Sequence, residues 1–301
     1  MNEKQVDAAV AAYEGMLDPS DAARLDFFRA LWERLRAWAS DGAGGYAVPA
    51  GDDLRAWYAA GKPVFSQAPV RIEPEKLAAA LSDLTSFASE RGGFPEDVRA
   101  AFERTKWDRI VAASPLEEAG RAPLAYVENL AGLLVDDGMD EEQARTAALV
   151  ASLVLRAQIE GAAAAVARAL LTDVPRGARP LACPVCGGMA SVARVGGEDS
   201  TQGRGKTLWC AQCGTSWEIE RIRCARCGTQ NQTHLHYFNV EGDEAHRIAT
   251  CDECGGYIRT VYTDETLAPF SFDVEDVVMA RLDAIALDPR FAGGNGVSSA
   301  R

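Results

Sequence analysis

The sequence predicts an α+β multidomain protein: an N-terminal all-helical domain, two tandem rubredoxin-like or zinc-ribbon four-cysteine modules, and a C-terminal helix. Two observations carry this prediction. The chain from Met1 to Thr172 contains no cysteine and has helical patterns, whereas all eight cysteines lie between Cys183 and Cys254. Between these parts, TDVPRGARPLA has two prolines and a glycine, which end a helix and mark a boundary.

The N-terminal part has the apolar spacing of amphipathic helices. In LDFFRALWERLRAW, apolar residues recur three and four positions apart, at Leu25, Phe28, Leu31, Trp32, Leu35 and Trp38. Asp18, Pro19 and Ser20 precede this run and provide helix start signals. Further helices are predicted in PEKLAAALSDLTSFASE, PEDVRAAFERT, PLAYVENLAGLLVDD and EEQARTAALVASLVLRAQIEGAAAAVARALL. AGKPVFSQAPVRI, from Ala60, predicts an extended crossing between helices.

After the boundary the chain changes in composition. Short runs such as THLHYFNV and YIRTVYT are typical of strands, and VEDVVMARLDAIAL predicts one final amphipathic helix before a polar, glycine-rich tail. We therefore expect four units: a helical domain at 1–175, a first metal module at 176–222, a second at 223–265, and a C-terminal helix with a flexible tail at 266–301.

The cysteines form a duplicated framework of four Cys-x-x-Cys-Gly units. One constant offset in residue number relates the members of four pairs: Cys183 and Cys224, Cys186 and Cys227, Cys210 and Cys251, Cys213 and Cys254. Within each copy, the segment between the second and third cysteines, 187–209 or 228–250, is long enough for a short hairpin that brings two units face to face. The glycine after each unit indicates a turn residue with positive φ.

This layout predicts two metal ions, each held by four thiolates. A tetrahedron of four sulfurs suits both iron and zinc, so the sequence leaves the metal open. Such closed sites have no free coordination position, which argues against hydrolytic metal catalysis. A thioredoxin-like redox role would need one activated pair instead of four similar ones. No nucleophilic triad, phosphate loop or dinucleotide fingerprint is visible, so we expect no catalytic residues.

All three histidines, His234, His236 and His246, lie in the hairpin of the second copy. Each copy already has four cysteines, so no histidine is needed as a ligand. His234 and His236 are expected to share one face of a strand with Phe238. A surface or packing role is one interpretation, and partner recognition is the other.

Charge and hydropathy exclude two classes of partner. The net charge is −13 and the isoelectric point is about 4.8. Residues 183–254 have nine acidic and seven basic side chains, which gives a net charge of −2. Eight thiolates that bind two divalent ions add −4, so the region carries a charge of about −6. A region with this charge should repel nucleic acid. The N-terminus lacks a signal-peptide pattern, and the most apolar segment is broken by Arg156, Glu160 and Arg168. We therefore expect a cytoplasmic protein without membrane insertion.

The second half of the sequence resembles a known family. CPVCGGMASV, TQGRGKTLWCAQCGTSWEIERIRCARCG, LHYF and CDECGGYIRTVY, in this order and spacing, are similar to the formate dehydrogenase accessory proteins of the FdhE type. The resemblance is most specific from about Pro180 to Asp264, because it includes Trp217, Arg221, His236 and Tyr237. The tail, DPRFAGGNG, departs from the Gly-Tyr and Asn-Pro-Phe ending of the family.

The resemblance implies a helical domain followed by two rubredoxin-like modules that hold iron. It also implies a cytoplasmic maturation factor that binds the catalytic subunit of a formate dehydrogenase. Trp217, Arg221, His236 and Tyr237 are candidate contacts with that subunit, since aromatic and arginine side chains dominate interface energetics; support of the metal turns is the alternative role for the four. A rubredoxin-like iron protein with a redox role remains the alternative function. No oligomeric state is predicted.

Overall fold

The fold is that of a computed structural model, which describes residues 1–39, 45–174, 179–196, 205–263 and 269–288. The predicted fold class is confirmed: a helical N-terminal region precedes a mixed β-sheet that contains both cysteine clusters, and short helices follow it. The expected boundaries near residues 175 and 265 and the tail from residue 289 onward lie outside the described residues.

Ten helices form the described N-terminal part: α1 Glu3–Ala12, α2 Pro19–Arg36, α3 Gly51–Ala59, α4 Val64–Gln67, α5 Pro74–Arg91, α6 Glu96–Arg104, α7 Trp107–Ala113, α8 Leu116–Arg121, α9 Pro123–Asp136 and α10 Glu141–Asp173. The side chain of Asp18 accepts hydrogen bonds from the amides of Ser20 and Asp21, so the predicted start signal caps α2. Asp140 and Gln143 form a capping box at the start of α10.

Helix α10 is the central element of the helical core. It packs against α9, α5 and α3, and its buried side chains include Val154, Leu155 and Ile159. By length and composition, α10 is apolar enough to cross a membrane, but 61% of its apolar window is buried inside the fold. Burial of this extent is typical of a core helix in a folded protein.

The two cysteine modules share one six-stranded sheet with strand order β3-β2-β1-β6-β5-β4. The strands are β1 Val192–Val195, β2 Lys206–Trp209, β3 Ser216–Ile219, β4 Leu235–Asn239, β5 His246–Cys251 and β6 Tyr257–Tyr262. Each module contributes an antiparallel set of three consecutive strands. The modules join where β1 pairs in parallel with β6, with Val192 beside Arg259 and Val195 beside Tyr262.

The sheet lies between two hydrophobic cores. Leu208, Trp217 and Ile258 belong to the same buried cluster as the helical domain. Val192 and Val261 pack with the C-terminal helices in a smaller second cluster. The helical region and the first module therefore do not have separate cores.

Two sequence predictions are corrected. The final helix is two helices, α11 Phe272–Val278 and α12 Ala280–Ala286, with a break at Met279. The break lets α11 pack against α1 and α2 while α12 packs against β5 and β6. The crossing expected to be extended contains the short helix α4, which begins after Pro63, a residue whose fixed φ suits the start of a helix.

Candidate metal centres

The four Cys-x-x-Cys units fold into the same turn. In each unit, the amide of the first cysteine donates to a carbonyl five positions later, and the amide of the following glycine donates back to the first cysteine. At Cys183 these distances are 2.8 and 2.9 Å, and at Cys251 they are 3.0 and 2.8 Å. The glycines have positive φ, from +67° at Gly255 to +83° at Gly228, as predicted. The duplicated sequence therefore gives a duplicated local structure.

Site 1 is formed by Cys183, Cys186, Cys210 and Cys213. The Sγ atoms of Cys183 and Cys213 are 3.6 Å apart, as are those of Cys186 and Cys210. A tetrahedron with metal–sulfur bonds of about 2.3 Å has sulfur–sulfur edges of about 3.8 Å. No disulfide links the cysteines, so the four sulfurs have the spacing that one tetrahedral ion requires.

Site 2 is formed by Cys224, Cys227, Cys251 and Cys254. The Sγ distances from Cys224 to Cys254 and from Cys227 to Cys251 are both 3.8 Å, which again matches the tetrahedral edge. Each site could hold one metal ion, and the donor set of four thiols fits iron or zinc equally well.

The backbone around the sulfurs is built to receive thiolate charge. The amide of Gly188 points to Cys186 Sγ at 3.4 Å, and that of Arg226 points to Cys224 Sγ at 3.3 Å. Burial raises the pKa of Cys183, and its neighbouring sulfurs raise it further. Four buried sulfurs this close cannot all be anionic without a cation between them, so the geometry favours a metal-bound state.

The two sites differ in their exposure to solvent. All four cysteines of site 1 are buried, with Cys183 and Cys210 at 0% exposure. In site 2, Cys224 and Cys251 are buried, whereas Cys227 and Cys254 are exposed. The spacing of the cysteines did not reveal this difference, although the residues between them did contain a signal: the second unit of site 1 is CAQC, and its counterpart in site 2 is CDEC.

A buried lysine lies next to site 2. Lys206 on β2 is 2% exposed and donates a hydrogen bond of 3.0 Å to the carbonyl of Arg223, the residue before Cys224. Burial lowers the pKa of Lys206 to about 8, and the nearby Cys224 opposes this shift. In its ammonium form this lysine would offset part of the negative charge of a four-thiolate site.

The four contact candidates from the sequence occupy different environments. Trp217 is buried in β3, and its Nε1 donates to the carbonyl of Pro180 at 2.9 Å, a position that fits support of the first module. Arg221 and Tyr237 are exposed. His236 is half-buried, and its Nε2 lies 2.8 Å from Asp252 Oδ2. Tyr237 contacts the ring of Tyr262, over which Arg247 stacks at 4.0 Å.

The expectation that His234 shares a strand face with His236 is wrong, because His234 lies in a 3-10 turn, Gln232–His234, and β4 begins only at Leu235. His246 is part of a buried ionic network. His246 Nδ1 lies 3.0 Å from Asp243 Oδ2, and its Nε2 lies 2.9 Å from Glu275 Oε2. Tyr13, directly after α1, donates to the same glutamate at 3.0 Å. Sequence reasoning missed this network because its partners are far apart in the chain.

The chain is similar to known FdhE proteins, although it matches no protein-family model. It is 28% identical over 198 residues to a protein FdhE homolog of Klebsiella pneumoniae, and 28% identical over 192 residues to protein FdhE of Escherichia coli. Each match covers 59% of this chain and spans 60% of the length of the relative.

The fold has a solved neighbour as well. The crystal structure of the FdhE protein from Pseudomonas aeruginosa superposes with a TM-score of 0.54 at 18% sequence identity, covering 94% of this chain and 89% of the other. The resemblance to the FdhE proteins, first indicated by the cysteine units, is thus confirmed by sequence similarity over 59% of the chain and by the fold over 94% of it.

Proposed function

We propose that this protein is a cytoplasmic accessory factor that binds the catalytic subunit of a formate dehydrogenase and supports its assembly into active enzyme. The observation that carries the proposal is the pair of preorganised four-thiol sites within a chain that is similar to FdhE in sequence and fold. The name of the relatives supports the accessory role, and the arrangement of the sites supports a role in binding.

Two metal ions are part of the proposal. Cys183, Cys186, Cys210 and Cys213 would hold one, and Cys224, Cys227, Cys251 and Cys254 the other. Each ion would supply folding free energy by binding four thiolates, part of whose negative charge it offsets, and by closing the turns that carry them. Because four protein sulfurs complete a tetrahedron, such sites favour rigid recognition over catalysis. We propose iron, as in the family the chain resembles, with zinc as the alternative.

We propose that the second module, together with the segment that leads into it, presents the surface that contacts the catalytic subunit. Arg221 and Tyr237 are exposed there, and Ile222 is 46% exposed beside Arg221. Arginine and aromatic side chains are enriched at the energetic centres of interfaces. His236 precedes Tyr237 on the edge strand β4 and points to the opposite face, so it would take part where the partner reaches around that edge. Trp217 is proposed to act indirectly, by supporting the first module.

An anaerobic pull-down tests the proposal. The tagged full-length protein is expressed together with the subunits of a formate dehydrogenase, and the retained proteins are identified by mass spectrometry. We expect the catalytic subunit to be retained by the wild type and lost with Arg221→Ala at unchanged metal content. Arg145→Ala, which removes a 72% exposed side chain from α10, is the matched surface control and should retain the subunit. Failure of the wild type to retain it under any cofactor condition would refute the proposal.

The alternative is a rubredoxin-like iron protein with a redox role toward the same enzyme. The exposure of Cys227 and Cys254 favours this alternative, because an iron–thiolate site at the surface is open to electron transfer. A zinc-loaded protein that supports full maturation would exclude the redox role while leaving the accessory role in place. Two iron ions with a reversible potential, found together with no subunit binding, would favour it.

A further inference from the structure

We propose that the two four-cysteine sites have different tasks: site 1 holds a slowly exchanging structural ion, whereas site 2 exchanges its ion faster, through the exposed sulfurs of Cys227 and Cys254. The inference goes beyond the proposed function and does not depend on the identity of the client. It rests on the surroundings of two sites whose own geometry is the same.

The duplication provides an internal control. Equivalent cysteines are related by one constant offset, the turns make the same backbone hydrogen bonds, and the sulfur–sulfur distances are 3.6 Å in site 1 and 3.8 Å in site 2. The intrinsic affinity of four such thiolates for one ion is therefore similar in both sites. A difference in exchange rate has to come from the surroundings of each site, and the two sites differ in the exposure of their sulfurs.

Site 1 is covered by the helical domain. The amides of Val64 and Phe65, at the start of α4, donate to the carbonyls of Pro184 and Val185 inside the first turn, at 3.0 and 2.9 Å. Pro63 also packs directly on Gly187. These contacts place the first turn of site 1 beneath a helix that is itself part of the main core.

The second turn of site 1 is covered by α10. Gly214 lies against the side chain of Arg156. Gln212, between Cys210 and Cys213, accepts a hydrogen bond of 2.8 Å from the hydroxyl of Ser152. Exposing the sulfurs of site 1 therefore requires the module to separate from α4 and α10, which would open the main core.

Site 2 lacks this cover on its outer side. Cys227 and Cys254 are exposed, and a methyl group at Gly255, the counterpart of Gly214, would have no neighbour within 4 Å. Asp252 and Glu253 replace the half-buried Ala211 and the buried Gln212, and both are exposed. The inner sulfurs, Cys224 and Cys251, remain buried against the sheet.

Exchange at site 2 can thus proceed by ligand substitution without unfolding. A chelator would reach an ion in site 2 from the solvent side, where Cys227 and Cys254 are exposed, and would displace these two thiolates first. Cys224 and Cys251, which are buried, would be displaced last. Because the cover of site 1 must open before the same sequence can start, release from site 1 is slower.

The test uses the full-length protein loaded with zinc at both sites and an excess of the chromogenic chelator 4-(2-pyridylazo)resorcinol. We expect zinc release in two phases of equal amplitude, with the fast phase about 10- to 100-fold faster than the slow one. N-ethylmaleimide present in the same reaction labels the released thiols, and peptide mapping should find label on Cys227 and Cys254 while Cys183 and Cys213 are still unlabelled.

Matched variants assign the phases. Cys227→Ser should remove the fast phase and keep one slowly released zinc ion, whereas Cys186→Ser, at the equivalent position of site 1, should lose the slow phase. The labelling experiment uses the wild type alone, so it tests the proposal even if either variant fails to fold. A single release phase, a fast phase that persists in Cys227→Ser, or labelling of Cys183 and Cys213 as early as Cys227 would overturn the proposal.

Discussion

The buried histidine network makes the pH dependence of stability predictable. His246 lies between Asp243 on its own module and Glu275 on α11, and both ring nitrogens are within 3.0 Å of a carboxylate oxygen. Tyr13 donates to Glu275, and Arg281 on α12 pairs with Asp243. These are the charged and titratable groups that face the imidazole, and two carboxylates next to one ring favour the imidazolium form.

The magnitude follows from the pKa. Burial lowers the pKa of His246, but the hydrogen bonds to Asp243 and Glu275 outweigh burial and raise it from 6.5 to about 9. A shift of this size corresponds to about 3 kcal/mol of folding free energy. Because the folded pKa is the higher one, this contribution is fully present below pH 6.5 and is lost as the pH rises through 9.

The assay is urea unfolding of the metal-loaded protein at a series of pH values, compared with His246→Gln. Lys206, whose pKa is lowered to about 8 by burial, titrates in both proteins, so the difference between the two unfolding free energies isolates the imidazole. We expect this difference to shrink by about 3 kcal/mol between about pH 6.5 and 9.5. In parallel, an NMR titration should show one imidazole, absent from the variant, that stays protonated at about pH 8. A His246 ring that loses its proton near its unperturbed pKa, or a difference independent of pH, would refute the reasoning.

Three further substitutions test particular contacts. Gly188→Ala places a methyl carbon 3.1 Å from one sulfur of site 1, and a zinc competition assay should show about tenfold weaker binding. The control Gly132→Ala lies on an open face of α9 and should instead stabilise the folded protein by about 0.5 to 1 kcal/mol. Arg156→Met leaves the carboxylate of Asp273 unpaired and should cost about 3 to 5 kcal/mol in urea unfolding, much of it recovered when Asp273→Asn is added. Trp217→Phe removes a donor to a backbone carbonyl and should cost about 1 kcal/mol without changing client retention; weaker retention would reassign it as a contact.

The sequence was sufficient to predict features that depend on local patterns. The constant offset between equivalent cysteines identified both four-cysteine clusters, because each turn needs only two cysteines and a glycine at fixed positions. Asp18 marked the start of α2 for the same reason, since a cap acts on its own helix. The unbroken helical periodicity of the C-terminal segment did not show the break at Met279, where the chain changes from one packing partner to another.

Features that depend on contacts between distant segments were not predictable. Tyr13 and His246 meet although they are 233 residues apart in the chain, and no pattern in either segment indicates the other. The pairing of β1 with β6, which joins the modules, was not predictable either. These are the first and last strands of the sheet region and they run parallel, so no tight turn connects them and the sequence contains no turn signal for the pair. The sequence showed that site 2 has CDEC where site 1 has CAQC. It did not show which of these turns the helices cover, so the difference in exposure could not be predicted.

The way the modules join explains how a stable site and an exchanging site can coexist in one sheet. Strand β1 follows the first turn of site 1, and β6 follows the second turn of site 2, so their pairing holds the two sites at a fixed distance through backbone hydrogen bonds. Arg226, inside site 2, reinforces this connection by donating to the carbonyls of Ala190 and Tyr257 at 3.1 and 3.0 Å. An ion in site 1, anchored in the main core, would therefore orient the second module even while site 2 exchanged its own ion. Loss of the ion from site 1 should disturb both modules and the helical core, whereas loss from site 2 should remain local to its exposed side.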